Sequence, residues 1–297
     1  MMKVLFISDY SSSMPGGAQM SNQHVIEEGR SLGYDITEYN HDSSKLLLLS
    51  NYDAIISSNL DYMSRMDNFK FIFDKIVEHP FHIRYEHDSC SYLHPELRRI
   101  LFESTKLNLF LSDFHLYFFQ EMYGDYFTNN EIVYDPINTE IFQPTEQEKE
   151  YDYLYCGYGH VLKGLENFIN FAKTNTDKKF AFVGWFSNQQ ESSGLGQELL
   201  KVDNIKVLEK VEPSEVPNLL RKTEYIYHDP IVNEPFCRMV AEALLCGCKL
   251  KGARNKIGSY LEYQKYGEEL FREKCKNAPK LFWEKINEKS ISNIKHV

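Results

Sequence analysis

The sequence has little that would take it out of water. Its nearest approach to a membrane segment is LLLL at residues 46–49, far short of the ~20 apolar residues that a spanning helix requires, so no transmembrane segment is expected. The opening MMKVLFISDYSSS holds one Lys and a short apolar stretch before Ser and Asp intervene, which reads as a buried strand and not as a secretion signal. A cytoplasmic location is the expectation, the host cytoplasm if the protein is viral. Six cysteines are present and none makes a CxxC spacing, which argues against a disulfide framework and against a zinc site. Cys246 and Cys248, on either side of Gly247, read as small buried thiols. HPFH (79–82) sets two histidines around Pro80 without a HExxH pattern, so zinc hydrolysis is disfavoured. A Walker loop, a GxSxG elbow and a GxGxxG fingerprint are all missing. There is no tandem repeat and no low-complexity tract.

What is present is an ordinary globular composition, 42% hydrophobic and 26% charged over 297 residues. That length is about twice a usual domain and predicts two of similar size. The net charge of −10 is unevenly spread. Residues 1–150 hold 11 Lys and Arg against 24 Asp and Glu, and residues 151–297 hold 22 against 19, so the halves carry −13 and +3. An acidic first half disfavours wholesale binding of a phosphate backbone, while the mildly basic second half suits one small anion such as a diphosphate.

Short apolar runs recur along the chain. KVLFIS (3–8), YDAIIS (52–57), FHIRYE (81–86), LNLFLS (107–112) and EIVYDP (131–136) read as buried parallel strands. Between them GGAQMSNQHVIEEGRSLG, ending on Gly33, and PELRRILFESTK, opening on Pro95, have helical spacing. A polar stretch, QPTEQEKEYD, follows Phe142 and reads as a linker, which places one domain at 1–146 and a second at 147–297. The second has its own series: YDYLYCG (151–157), KFAFVGW (179–185), NIKVLEK (204–210), EYIYHDP (224–230) and CKLKGA (248–253). SSGLGQ (192–197) reads as a mobile loop, and APKLFWEKINEKSISNIKHV as a terminal helix. The expected class is α/β, with two facing Rossmann-like domains and an interdomain cleft.

The stretch NEPFCRMVAEALLCG (233–247) stands out, with Glu234 and Glu242 eight positions apart. Pro235 suits the first position of a helix and Gly247 the position after its end, with Met239, Val240, Ala243 and Leu244 as the buried face. Helix N-termini attract phosphate, so the backbone at Phe236 and Cys237 is a candidate anion seat. Glu234 follows the strand EYIYHDP, at a carboxyl end of the sheet, where ligands bind in open α/β folds. Two carboxylates flanking an anion describe a site for a sugar–diphosphate–ribose ligand.

These residues resemble the retaining, two-Rossmann (GT-B) glycosyltransferases of family 4 and their relatives, the glycosyltransferase group 1 type, through an EPFG-like segment with E-x7-E spacing. PGGAQ (15–19) is similar to their first Gly-rich loop, VYDPINTEIFQP (133–144) to their interdomain signature, and YCGYGHVLKGLENFI (155–169) to the strand, loop and KG-started helix of their second domain. The likeness touches most of the chain and is strong in four short blocks. It implies that Glu234 contacts donor-sugar hydroxyls, that Glu242 contacts the nucleotide ribose, and that Phe236 and Cys237 lie near the diphosphate, with Cys237 standing where the family has glycine. Lys163 is implied as the phosphate cation, with Arg238 or His160 supplying the charge of an arginine that Tyr158 replaces here. Gly16 and Gly17 would admit close backbone approach to the donor phosphate or acceptor, and His87, at a strand end beside Asp88, would stand beside the donor sugar.

The resemblance implies an enzyme, a hexosyl- or pentosyltransferase. It would move a sugar from a nucleotide-diphosphate donor, held by the second domain, to an acceptor hydroxyl on a glycan or small molecule, with retention of configuration and no metal. Two alternatives stand beside it: a phage-type transferase acting on a hydroxylated base in DNA, and a non-catalytic nucleotide-sugar-binding protein.

Overall fold

The computed structural model describes residues 2–14, 16–43, 51–91, 93–124, 128–186, 194–208 and 211–294, the last four by backbone alone. The LLLL run at 46–49, Pro15 of PGGAQ, residues 192 and 193 of SSGLGQ and residues 209 and 210 of NIKVLEK lie outside the described residues. The chain divides into two compact units, one of residues Met1–Pro136 with Lys274–Val297 and one of residues Ile137–Glu273.

Unit 1 is a parallel sheet of six strands with helices between them. In chain order they are β1 (Lys3–Ser8), α1 (Gly17–Ser31), β2 (Asp35–Tyr39), β3 (Ala54–Ser58), α2 (Phe69–Glu78), β4 (His82–Tyr85), α3 (Pro95–Ser104), β5 (Leu107–Phe110), α4 (Asp113–Tyr123) and β6 (Asn130–Ile132). The strands lie in the order β2-β1-β3-β4-β5-β6, so the direction of winding reverses between β1 and β3. Val4 is in register with Ile36 on one side and Ala54 on the other. A strand walled by helices on both faces must be apolar on both, and β1 and β3 are buried almost throughout. β2 is the strand that the apolar runs do not announce. Its residues DITEY are mostly polar because it is an edge strand, buried only at Ile36 and Tyr39.

Unit 2 is a second parallel sheet, of five strands. Its elements are β7 (Tyr151–Tyr158), α5 (Leu165–Thr174), β8 (Phe180–Trp185), α6 (Leu195–Leu200), β9 (Ile205–Val207), α7 (Val216–Arg221), β10 (Thr223–His228), α8 (Arg238–Leu245), β11 (Lys249–Gly252) and the start of α9 (Gly258–Ile294), two helical segments joined by a kink at Gly267, whose φ of 75° and ψ of 168° are not helical. The order β11-β10-β7-β8-β9 puts the reversal between β7 and β10. Connections that leave those two strands in opposite directions open a crevice at their carboxyl ends, the usual ligand position of such sheets. Phe168, Phe180, Phe182 and Tyr227 pack the core beneath it.

The division of the chain differs from the one expected at 146/147. Residues 137–143 belong to unit 2 because arginines there bind their carbonyls: Arg272 Nη1 donates to the oxygens of Thr139 (3.3 Å) and Phe142 (2.9 Å), and Arg221 Nε to that of Gln143 (2.9 Å). The terminal helix does not stay with the second half, since its residues from Lys274 onward belong to unit 1. Trp283 is the reason. It is fully buried, and its indole N–H donates to the carbonyl of Val25 at 2.7 Å. Gly29 on α1 leaves room for the ring, because a Cβ there would sit 2.3 Å from Trp283 Cζ2.

Trp283→Ala should therefore destabilise unit 1 by about 3–5 kcal/mol, the usual cost of deleting a buried indole. Denaturant unfolding of the full chain measures this; an unchanged first transition would contradict the docking of the terminal segment on α1.

Candidate functional site

The site in unit 2 is built from three segments that meet at the carboxyl ends of β7 and β10. After β7 the chain forms a single 3-10 turn, Val161–Lys163, and then Gly164 in the left-handed region at φ 83°. A Cβ on Gly164 would lie 2.2 Å from the carbonyl oxygen of Asp229, so only glycine lets this turn sit against the loop that follows β10. The turn is further tied by Ile231 N–H donating to Leu162 O at 2.9 Å.

That approach carries Lys163 to the loop's acid. Lys163 Nζ lies 2.5 Å from Glu234 Oε1, and His228 Nε2, at the end of β10, lies 3.4 Å from the same oxygen. Glu234 is held by its backbone, donating to Lys256 O (2.8 Å) and accepting from Gly258 N–H (3.0 Å) in a one-residue parallel bridge to Ile257. Its side chain is buried and the Lys163 side chain is 38% exposed, so the pair has a lysine end open to a ligand. Burial by itself would push the Glu234 carboxyl up, but His228 and Lys163 outweigh it and hold the group down to about 2. Burial likewise opposes charge on His228, which Cys237 and Glu234 push up to about 10. The carboxylate is thus ionised, and opposed by a positive edge.

The helix expected from Pro235 starts at Arg238 instead. Cys237 caps it with φ 70° and ψ 84°, a left-handed backbone that cannot continue into a right-handed helix. Pro235 and Phe236 precede the cap. Phe236 is fully buried, its ring 6.0 Å from that of Phe271, and its carbonyl accepts from Ser259 N–H at 2.8 Å. Cys237 O receives the first bonds of α8, from Val240 (3.1 Å) and Ala241 (3.2 Å), which turns the following N–H groups toward the helix mouth. Cys237 therefore holds a backbone conformation that glycine adopts without strain. The helix's buried face also differs: Met239 is half-buried, whereas Arg238 and Glu242 are both buried and paired at 3.4 Å.

Tyr158 and His160 form the adjoining rim. Tyr158 stacks on Trp185 with ring centroids 4.3 Å apart, the two being in register at the ends of β7 and β8. Its ring is 5.3 Å from that of His160. The Nδ1 atom of His160 accepts from Leu162 N–H at 2.9 Å, so it caps the turn that bears Lys163. Trp185, 62% exposed, and His228 are the residues that the sequence motifs passed over. Both end strands, at the closing W of KFAFVGW and the H of EYIYHDP, and a polar or aromatic residue at such an end is the signal that would have found them.

Gly16, Gly17 and His87 belong to unit 1. Gly16 is the extended residue before α1, and Gly17 is the first residue of that helix. A Cβ on Gly16 would meet Gln19 Oε1 at 2.0 Å. His87 follows β4 and is buried; its Nε2 is 3.1 Å from Asn22 Oδ1 and its Nδ1 is 3.8 Å from Asp135 Oδ1. Asp135 also accepts from Ser21 Oγ at 2.6 Å, which joins α1 to the end of the unit's last connection. Asp88, beside His87, is pushed up to about 7 by burial, with Glu86, Asp61 and Asp9 adding to it.

Among the described residues, one cluster of side chains has the composition to hold a metal: His228, Glu234 and Cys237, with ligand atoms within 4.8 Å of one another. No described helix is long and apolar enough to cross a membrane.

Comparison with solved structures gives whole-length matches. Anabaena HepE in complex with UDP and glucose aligns with a TM-score of 0.65 at 15% identity over 100% of both chains. Sucrose-phosphate synthase from Thermosynechococcus elongatus gives 0.67 at 10% identity, over 97% of this chain and 94% of that one. The catalytic domain of starch synthase IV from Arabidopsis thaliana, bound to ADP and acarbose, gives 0.60 at 8% identity, over 97% and 99%. No protein-family model matches the chain, and no curated protein matches it. The structural neighbours are glycosyltransferases of GT-B type, and the fold of this chain is the same: α/β, with two Rossmann-like parallel sheets.

The left-handed cap at Cys237 gives a direct test of the local geometry. Cys237→Gly should be at least as stable as the parent, because it removes a strain of about 1–2 kcal/mol against a smaller entropic cost, whereas Cys237→Val should lose stability. Urea unfolding of both variants checks this; equal loss in both would contradict the assigned backbone.

Proposed function

We propose that this chain is a glycosyltransferase that moves a hexose or pentose from a nucleotide-diphosphate sugar to an acceptor hydroxyl, with retention of anomeric configuration. The observation that carries the reading is the Lys163–Glu234 pair, an ammonium and a buried carboxylate 2.5 Å apart at the switch point of the unit 2 sheet. A nucleoside diphosphate sugar presents complementary groups to it, an anion for Lys163 and hydroxyls for Glu234. The bound UDP of HepE and ADP of starch synthase IV support the same ligand class.

In this reading the diphosphate sits between Lys163 and the N-terminus of α8, whose cap is Cys237 and whose first turn holds Arg238. Glu234, released from Lys163, accepts hydrogen bonds from the donor sugar, and Glu242, held by Arg238, faces the ribose. The Tyr158–Trp185 stack offers an aromatic face to the base. The acceptor oxygen attacks the anomeric carbon on the face from which the diphosphate leaves; the departing phosphate oxygen takes the acceptor's proton. Negative charge grows on that oxygen, and Lys163 and the helix mouth stabilise it without a metal cofactor and without a protein nucleophile. The family resemblance gives the acceptor to unit 1, where His87, Gly16 and Gly17 are the candidate residues. The acceptor is a soluble glycan or small molecule.

A transfer assay with a panel of nucleotide sugars tests this. Glu234→Gln should lower kcat by about 10²-fold or more while leaving the fold intact, and excess EDTA should leave the rate unchanged. Full turnover in the variant removes Glu234 from the site. Saturable donor binding with no product identifies a binding protein instead, and product formed on hydroxylated DNA alone identifies the nucleic-acid acceptor.

A further inference from the structure

The side chains of His228 and Cys237 have no assigned part in sugar transfer, yet they share a small volume with Glu234. His228 ends β10, its ring is buried, and its Nε2 carries no hydrogen bond, although Glu234 Oε1 lies 3.4 Å away. Cys237 is the one residue of the α8 cap in a conformation that glycine adopts without strain. A strained position filled by a chemically reactive side chain is a reason to ask what the side chain does. Its Sγ completes a set in which every pair of ligand atoms is within 4.8 Å.

We propose that His228, Glu234 and Cys237 form a binding site for a soft divalent cation, of which zinc is the best fit, with water in the remaining position. One nitrogen, one carboxylate oxygen and one sulfur make a three-ligand set of the kind that leaves zinc a tetrahedral position open. Two ligand atoms each ~2.1 Å from a tetrahedral zinc are separated by about 3.4 Å, the distance observed between His228 Nε2 and Glu234 Oε1. Magnesium and calcium prefer shells made wholly of oxygen, so the sulfur and the imidazole select against them. On binding, the Cys237 thiol and the His228 imidazolium each give a proton to solvent, which frees the lone pair of Nε2, and Glu234 exchanges Lys163 for the metal. The charge of Lys163 opposes the cation at close range.

The cation occupies the carboxylate that the reading above assigns to the donor sugar, so zinc is an inhibitor here and not a cofactor. That consequence depends on the proposed function; the metal site does not.

Titration of the full chain with cobalt(II), in the absence of nucleotide, reports the site through the near-ultraviolet thiolate-to-cobalt absorption. One cobalt per chain should bind with that band, zinc should bleach it, and magnesium in large excess should not. Cys237→Ser should lack the band, His228→Gln should weaken binding at least about tenfold, and Lys163→Met should tighten it several-fold by removing the opposing charge. Absence of the band in the parent protein, or the same band in Cys237→Ser, overturns the proposal. A normal cobalt titration that a panel of nucleotide sugars leaves unchanged upholds the metal site and counts against the donor reading instead.

Discussion

A carboxylate that is nine-tenths buried can stay ionised only if positive charge is brought to it, and that condition organises unit 2. Glu234 is such a group, and Lys163 and His228 are what the fold brings. The strand order puts β7 next to β10, so the segment after one meets the segment after the other. Gly164 removes the side chain that would hold them apart. The short bridge to Ile257 fixes the backbone of Glu234, so that its carboxylate cannot retreat to solvent. Buried ion pairs add little to stability once desolvation is counted. Such an investment in one oxygen atom is better understood as preparation for a ligand that exchanges for the lysine.

The same economy explains the start of α8. A helix beginning at Pro235 would have Glu234 as its cap; the left-handed cap at Cys237 instead leaves Glu234 on a loop pinned to the segment at Ile257. Arg238 and Glu242 pair with each other on the buried face of the helix. Acid, cation and helix mouth thus converge within unit 2 alone. The zinc ligand set arises from this convergence, because the cap that shapes the mouth also carries a thiol.

Most of this was legible in the sequence where a single physical requirement governed a segment. Strands buried on both faces must be continuous apolar runs, and KVLFIS, LNLFLS and KFAFVGW became β1, β5 and β8 with ends shifted by two residues or fewer. DITEY did not announce β2, since an edge strand needs only half its residues buried. Glu234 was singled out by its place after a strand and by its spacing to Glu242, and Lys163 by the family resemblance; their contact depends on a left-handed glycine whose role is visible only in three dimensions. The helix start was misplaced because proline at a first turn is a tendency, whereas the conformation of Cys237 is set by its tertiary partner Ser259 and by the loop it closes. Which unit the terminal segment packs on was left open for a similar reason: its helical period says that it packs, and only the fit of Trp283 against Gly29 says on what.

The central claim is that a diphosphate takes the place of Glu234 on Lys163. Calorimetric titration of a panel of nucleosides and their diphosphates into the parent chain and into Lys163→Ala measures it directly. The account predicts that the diphosphates bind the parent far better than the nucleosides do, and that Lys163→Ala erases at least about tenfold of that difference. Equal affinity for the diphosphate in both proteins would contradict it.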